Sequence, residues 1–221
     1  MPHAVHVSDD PATVMAERLV ALLQRPSHTY VALSGGSTPK PLFNLLGTVL
    51  RDSIPWERVT LFQVDERMLP WDHPDSNWKA IRDELVSRIP KVTAYPMQPL
   101  APNPAEDYAA RMRNVIPHHK GGVPVLDLVL LGMGADGHTA SLFPGTPALD
   151  VYDSLVIESA GPPPHTRRLT LTFPVLQAAS RRWFLLRGAD KADAYRRAQH
   201  GQVPAGRVGD AEWFVDPTVL G

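Results

Sequence analysis

A chain of 221 residues, 43% of them hydrophobic, is long enough to bury a sizeable core and is most simply read as one domain spanning residues 1–221. A formal net charge of -1 and a pI near 6.8 supply no field to gather nucleic acid or an anionic membrane surface, so any anionic ligand has to be held by local groups. The absence of cysteine excludes disulfides, thiolate nucleophiles and cysteine-ligated metals.

Asp9 and Asp10 interrupt any signal-peptide pattern, and no apolar run approaches the ~18–20 residues of a membrane span. These features predict a soluble, cytoplasmic protein with no nucleic-acid or membrane partner; the sequence does not report oligomeric state, and a monomer is one of the states open to it. The 23 prolines are about twice the usual ~5% and lie singly along the chain. With no cysteine, that composition suits heat adaptation, which a melting midpoint above about 60 °C would support.

His3 to Val7 alternates like a strand, and Asp9 or Asp10 followed by Pro11 opens a helix to about Leu23 with Val14, Leu19, Leu22 and Leu23 on its apolar face. Tyr30 to Leu33 is a second strand running into Ser34-Gly35-Gly36-Ser37-Thr38-Pro39. There Thr38 and Pro39 serve as cap and first turn of a helix containing Leu42, Phe43, Leu45 and Leu46. Val59 to Val64 is a third strand, ended by the charged turn Asp65-Glu66-Arg67, and a helix follows from Asn77 to Ile89. A proline-rich connection from Pro96 to Pro104 leads to a helix capped by Asn103 and running to about Ile116. After a loop with His118, His119 and two glycines comes a strand from Leu126 to Leu131, buried on both faces. Later strands are placed near Leu155 to Glu158, Leu169 to Thr172, Trp183 to Leu186 and Glu212 to Val215, with helices near Pro174 to Ala179 and Asp190 to Gln199.

Alternating strands and helices imply an α/β fold: a three-layer, mainly parallel, Rossmann-like sheet with helices on both faces. Ligands of such sheets bind outside the carboxyl ends of the strands, which gathers the Ser34, Asp65 and Gly132 loops on one edge.

The Ser34, Gly35, Gly36, Ser37 and Thr38 loop suits an oxyanion, because two glycines let N–H groups converge and the hydroxyls add donors ahead of a helix N-terminus. It lacks the Gly-Lys-Ser/Thr ending of a nucleotide P-loop. Gly132-Met-Gly134-Ala-Asp136-Gly137 matches the dinucleotide pattern, with Glu158 about twenty residues on. Pro144 and Gly145, however, leave room for only a short helix of about two turns, so a nicotinamide cofactor is not expected. Asp136 and His138 flank Gly137, and neutral imidazole is suited to accept a proton near neutral pH. The remaining histidines lack a helical metal-ligand spacing, so neither a metal nor any other cofactor is expected. Arg67, Arg167, Arg168 and Lys191 are ordinary surface charges taken singly, yet arginine grips phosphate bidentately and lysine as a point charge.

Taken together, Ser34 to Pro39, Asp65 to Arg67, His73 to Asn77, Gly132 to Pro144, Arg168 to Thr172 and Gly188 to Ala192 resemble, in that order, the 6-phosphogluconolactonases, sugar-lactone hydrolases of the pentose phosphate pathway. The resemblance implies metal-independent hydrolysis of 6-phospho-D-glucono-1,5-lactone to 6-phosphogluconate. It places His138 as catalytic base, Asp65, Arg67 and Asp136 as polar active-site groups, Gly134 among the substrate contacts, and the Ser34 to Thr38 loop with Arg168 and Lys191 at the phosphate. Glucosamine-6-phosphate deaminases share the fold but carry an acid immediately before the matching proline, where this chain has Phe143. A sugar-phosphate isomerase or deaminase, and a non-catalytic sugar-phosphate sensor, are the competing expectations.

Overall fold

The computed structural model describes residues 4–221, so His3, expected in the first strand, lies outside the described residues. The strands are β1 (Ala4–Val7), β2 (Thr29–Leu33), β3 (Val59–Gln63), β4 (Asp65–Arg67), β5 (Thr93–Tyr95), β6 (His119–Lys120), β7 (Val123–Pro124), β8 (Leu128–Leu131), β9 (Val156–Ala160), β10 (Arg167–Leu171), β11 (Arg182–Leu186) and β12 (Glu212–Val215). The helices are α1 (Pro11–Leu23), α2 (Lys40–Gly47), α3 (Asn77–Glu84), α4 (Pro104–Val115), α5 (Phe173–Ala178) and α6 (Ala192–Gln199). No described helix is long and apolar enough to cross a membrane.

Among the described residues, seven strands form a parallel sheet in the order β1-β12-β11-β8-β2-β3-β5. Its inner strands β2, β3, β8, β11 and β12 bury both faces and read as largely apolar runs, whereas the edge strands β1 and β5 are more open to solvent. Val31, Leu33, Leu128, Leu130, Trp183 and Leu185 pack with α1, α2 and α3, whereas Ala32, Val129, Leu131, Phe184 and Leu186 pack with α4, α5 and α6. The alternation along each strand therefore divides the core into two halves, one on each side of the sheet.

Local chemistry accounts for most element ends. Asp10 caps α1 by accepting the Thr13 N–H at 3.3 Å, and Pro11 occupies the first turn, where its missing N–H costs nothing. The buried stripe of α1 runs through Ala12, Met15, Ala16, Leu19, Leu22 and Leu23, so Met15 takes the place expected for Val14. Helix α2 begins at Lys40 behind Pro39, with no side-chain cap from Thr38. Helix α3 stops at Glu84 and continues only as a 3₁₀ turn over Val86–Arg88, short of the Ile89 expected from periodicity. His118 and His119, expected in an open loop, lead into the small β6–β7 hairpin.

The chief departure from expectation is a second sheet of three antiparallel strands, β4-β10-β9. Val64 makes the transition: its N–H donates to Leu33 of the large sheet, while its carbonyl accepts from Leu171 of the small one. Asp65-Glu66-Arg67 is consequently a strand, not a turn, and Arg67 stands opposite Arg168. Inward residues Val156, Leu169 and Leu171 anchor the small sheet in the same half of the core as α4.

Candidate active site

The large sheet reverses its winding between β2 and β8: β3 and β5 extend it on one side, β11 and β12 on the other. A cleft opens at such a switch point, beyond the strand carboxyl ends. Here the Ser34 and Gly132 loops flank it, joined where the Ser34 N–H donates to Leu130 at 3.1 Å. The cavity has a volume of about 430 Å³, and its wall includes Ser34 to Thr38, Asp65, Arg67, Gly134, His138, Arg168 and Lys191. It thus joins the site residues expected from sequence, except that Asp136 reaches it through His138.

The Gly132 loop is built around that histidine. Asp136 Oδ1 accepts the His138 main-chain N–H at 3.1 Å and meets the ring Nδ1 at 2.6 Å. Burial works to raise the Asp136 carboxyl, but the N–H, charge and ring contact of His138 outweigh it and hold the group below its ordinary value. An ionised acceptor at Nδ1 selects the tautomer with its proton there, leaving Nε2 as the basic nitrogen. A Cβ on Gly134 would lie 2.2 Å from Nδ1, so only glycine lets the ring rest against this loop. Phe143 packs against the ring, tilted by 34°, at 4.3 Å between centroids.

No helix follows the glycines. Gly137 at φ +87° and Ala140 at φ +53° turn the chain out of helical conformation, and a bridge from Thr139 to Leu142 closes the turn. The N–H groups of Gly134 and Gly137 are spent inside the loop, on His138 and Gly134 carbonyls. The short helix expected from sequence is therefore absent, and the dinucleotide pattern lacks the helix N-terminus it requires, with two of its three glycine amides already bonded within the loop.

The small sheet supplies the opposite wall. Asp65, 7% exposed, accepts from Ser141 Oγ at 2.6 Å and from Asn77 Nδ2 at 3.2 Å. Glu66 faces away from the cavity and binds the start of α3, accepting from the Asn77 and Trp78 N–H groups and from Ser76, Gln63 and Arg67. Burial raises its carboxyl, while these donors favour the charged form. Arg67 Nη1 donates to the Asp75 carbonyl and to Asn77 Oδ1, both at 2.7 Å. Arg168 donates from Nε to the His165 carbonyl at 2.8 Å and lies over the Phe143 ring. Burial and the adjacent Arg67 lower its proton affinity, against the attraction of Asp65 and Glu66. Two guanidiniums held side by side call for an anion.

Two buried atoms of the cavity residues, Ser34 Oγ on the large-sheet side and Arg67 Nε on the small-sheet side, have no hydrogen-bond partner among the described residues. Both are groups a bound oxyanion would satisfy. Gly36, at φ +97°, adopts the backbone conformation that lets the Ser34 to Thr38 loop curl. Lys191 reaches the cavity while paired with Asp190 at 2.9 Å. Arg167 does not line it: it pairs with Glu158 on the outer surface.

Three participants carried no assigned role in the sequence reading. Asn77, whose side chain joins Arg67 to Asp65, is legible only as a polar residue at a helix start, and Ser141 only as a hydroxyl before an apolar pair. His165 comes near His73 and Asp75 only in space, where three donor atoms lie within 4.8 Å of one another.

Residues 2–215 match the family model described as glucosamine-6-phosphate isomerases/6-phosphogluconolactonase. The chain belongs to this family. A 6-phosphogluconolactonase of Synechocystis is 39% identical over 209 residues, covering 89% of this chain and 85% of that protein. The 6-phosphogluconolactonase of Rattus norvegicus is 36% identical, covering 93% and 85%. The crystal structure of 6-phosphogluconolactonase from Leishmania guyanensis superimposes with a TM-score of 0.90 at 27% identity, covering 99% of this chain and 98% of that one.

Proposed function

We propose that this chain hydrolyses 6-phospho-D-glucono-1,5-lactone to 6-phosphogluconate. The observation that carries the reading is a histidine held by a carboxylate in the same cavity as two adjacent arginines, in a chain 39% identical to a 6-phosphogluconolactonase.

In this reading the Ser34 to Thr38 loop, Arg67, Arg168 and Lys191 hold the phosphate and bring C1 of the lactone beside His138. His138 Nε2 takes a proton as water forms a bond to C1, and the carbonyl electrons move onto oxygen. When the tetrahedral intermediate collapses, the C1–ring-oxygen bond breaks and the proton passes from His138 to the departing oxygen. The ring is neutral again and the carboxylic acid ionises into solvent. Asp136 keeps the ring in the tautomer that can do this and offsets the positive charge of the intermediate imidazolium. General base and acid transfer of this kind contributes about 10²- to 10⁴-fold, and fixing the reacting carbon adds to it.

Phe143 separates this reaction from deamination, because the place of the deaminase acid is held by a side chain with no proton to give. Incubation with glucosamine 6-phosphate is expected to release no ammonia. Since these lactones also open spontaneously, the test is an NMR time course of fresh lactone with and without protein. Faster loss with protein supports the proposal; equal decay at saturating protein rejects it and leaves a binding protein.

A further inference from the structure

Asp75 and His165 stand outside the cavity wall, on the β4–α3 loop and the β9–β10 loop. Asp75 Oδ2 and His165 Nε2 meet at 2.7 Å, joining the two loops. The main-chain carbonyl of each also accepts from one of the cavity arginines: Asp75 from Arg67 at 2.7 Å, His165 from Arg168 at 2.8 Å. Because Arg67 and Arg168 are register partners across β4 and β10, the four residues form a closed circuit. His73 supports it, accepting the Asp75 N–H at 3.1 Å and packing edge-on against the His165 ring at 5.3 Å.

Two guanidiniums side by side repel each other when no anion is bound, and long arginine side chains gain entropy by separating. Holding both in place before the anion arrives reduces the cost of binding. Resting on the lactonase reading above, we propose that Asp75 and His165 are positioning residues that clasp the two loops together and so hold Arg67 and Arg168 ready for the substrate phosphate.

The same three side chains, His73, Asp75 and His165, form a donor set that a zinc-class ion would accept. Their surroundings argue for the clasp instead. The carbonyls of Asp75 and His165 hold two positive charges beside the cluster, and the Asp75 carboxylate and His73 Nδ1 already have partners.

The test uses Asp75→Ala, His165→Ala, the double variant and Asp75→Asn, which keeps an oxygen for His165. Inorganic phosphate affinity is titrated for each, and KM and kcat are measured with the lactone. The clasp predicts that either alanine variant raises KM and the phosphate Kd about 5- to 10-fold with kcat within about twofold. It also predicts that the double variant is no worse than the single ones and that Asp75→Asn recovers most of the loss. Unchanged phosphate affinity in both single variants, strictly additive effects, or a loss confined to kcat would overturn it. If wild-type protein binds phosphate but does not turn over lactone, the function reading fails while the phosphate titrations still decide the clasp.

Discussion

The two walls of the cavity are built differently. The wall from the large sheet carries the Ser34 loop and His138 on strands covered on both faces by core, so their positions follow from the register of β2 and β8. The wall from the small sheet carries Arg67 and Arg168 on short antiparallel strands whose ends lie at the loops Asp75 and His165 join. On the proposed reading, proton transfer belongs to His138 on the first wall and the paired arginines recognise charge from the second, with the Ser34 loop completing the phosphate site from the first. Replacing His138 should therefore move kcat, and replacing either arginine KM.

The largest expected effect is that of His138→Ala: a fall in kcat of about 10²- to 10⁴-fold with KM within about threefold, read from initial rates at saturating lactone. Gly134→Ala follows. Its Cβ would lie 2.2 Å from His138 Nδ1, and displacing the ring by that order costs about 10²-fold in kcat. Both predictions fail if the loss appears in KM.

On the other wall, Arg168→Ala should raise KM about tenfold or more with a smaller change in kcat. Arg167→Ala, which removes an exposed partner of Glu158, should leave both within about twofold. Equal effects from these neighbours would deny Arg168 a specific part in holding the substrate. The smallest expected signature is in pH. Because the Asp136 carboxyl lies below its ordinary value, it stays ionised from about pH 5 to 8, so its own protonation should add no step to the kcat/KM profile over that range.

The same contrast marks what the sequence made legible. The large sheet announced itself through apolar runs such as Leu128 to Leu131, and its switch-point loops through glycines that no strand interior would choose. His138 was found by its place after such a strand. The small sheet was legible only in part: its strands near Leu155 to Glu158 and Leu169 to Thr172 are expected from sequence, but Asp65-Glu66-Arg67 reads as a charged turn and becomes a strand only by pairing with β10, some hundred residues later in the chain. The link from Asn77 to Arg67 and the approach of His165 to Asp75 likewise depend on tertiary contacts that no local pattern encodes. The short helix expected after Gly132 failed for a local reason, the positive φ angles at Gly137 and Ala140, which composition alone did not require of an alanine.

The division between the walls is tested most directly by titrating 6-phosphogluconate into the His138→Ala protein. The account predicts a Kd within about twofold of the wild-type value, although turnover is lost. A Kd weakened about tenfold or more would contradict it, because His138 would then belong to the charge-recognition wall as much as to the chemistry.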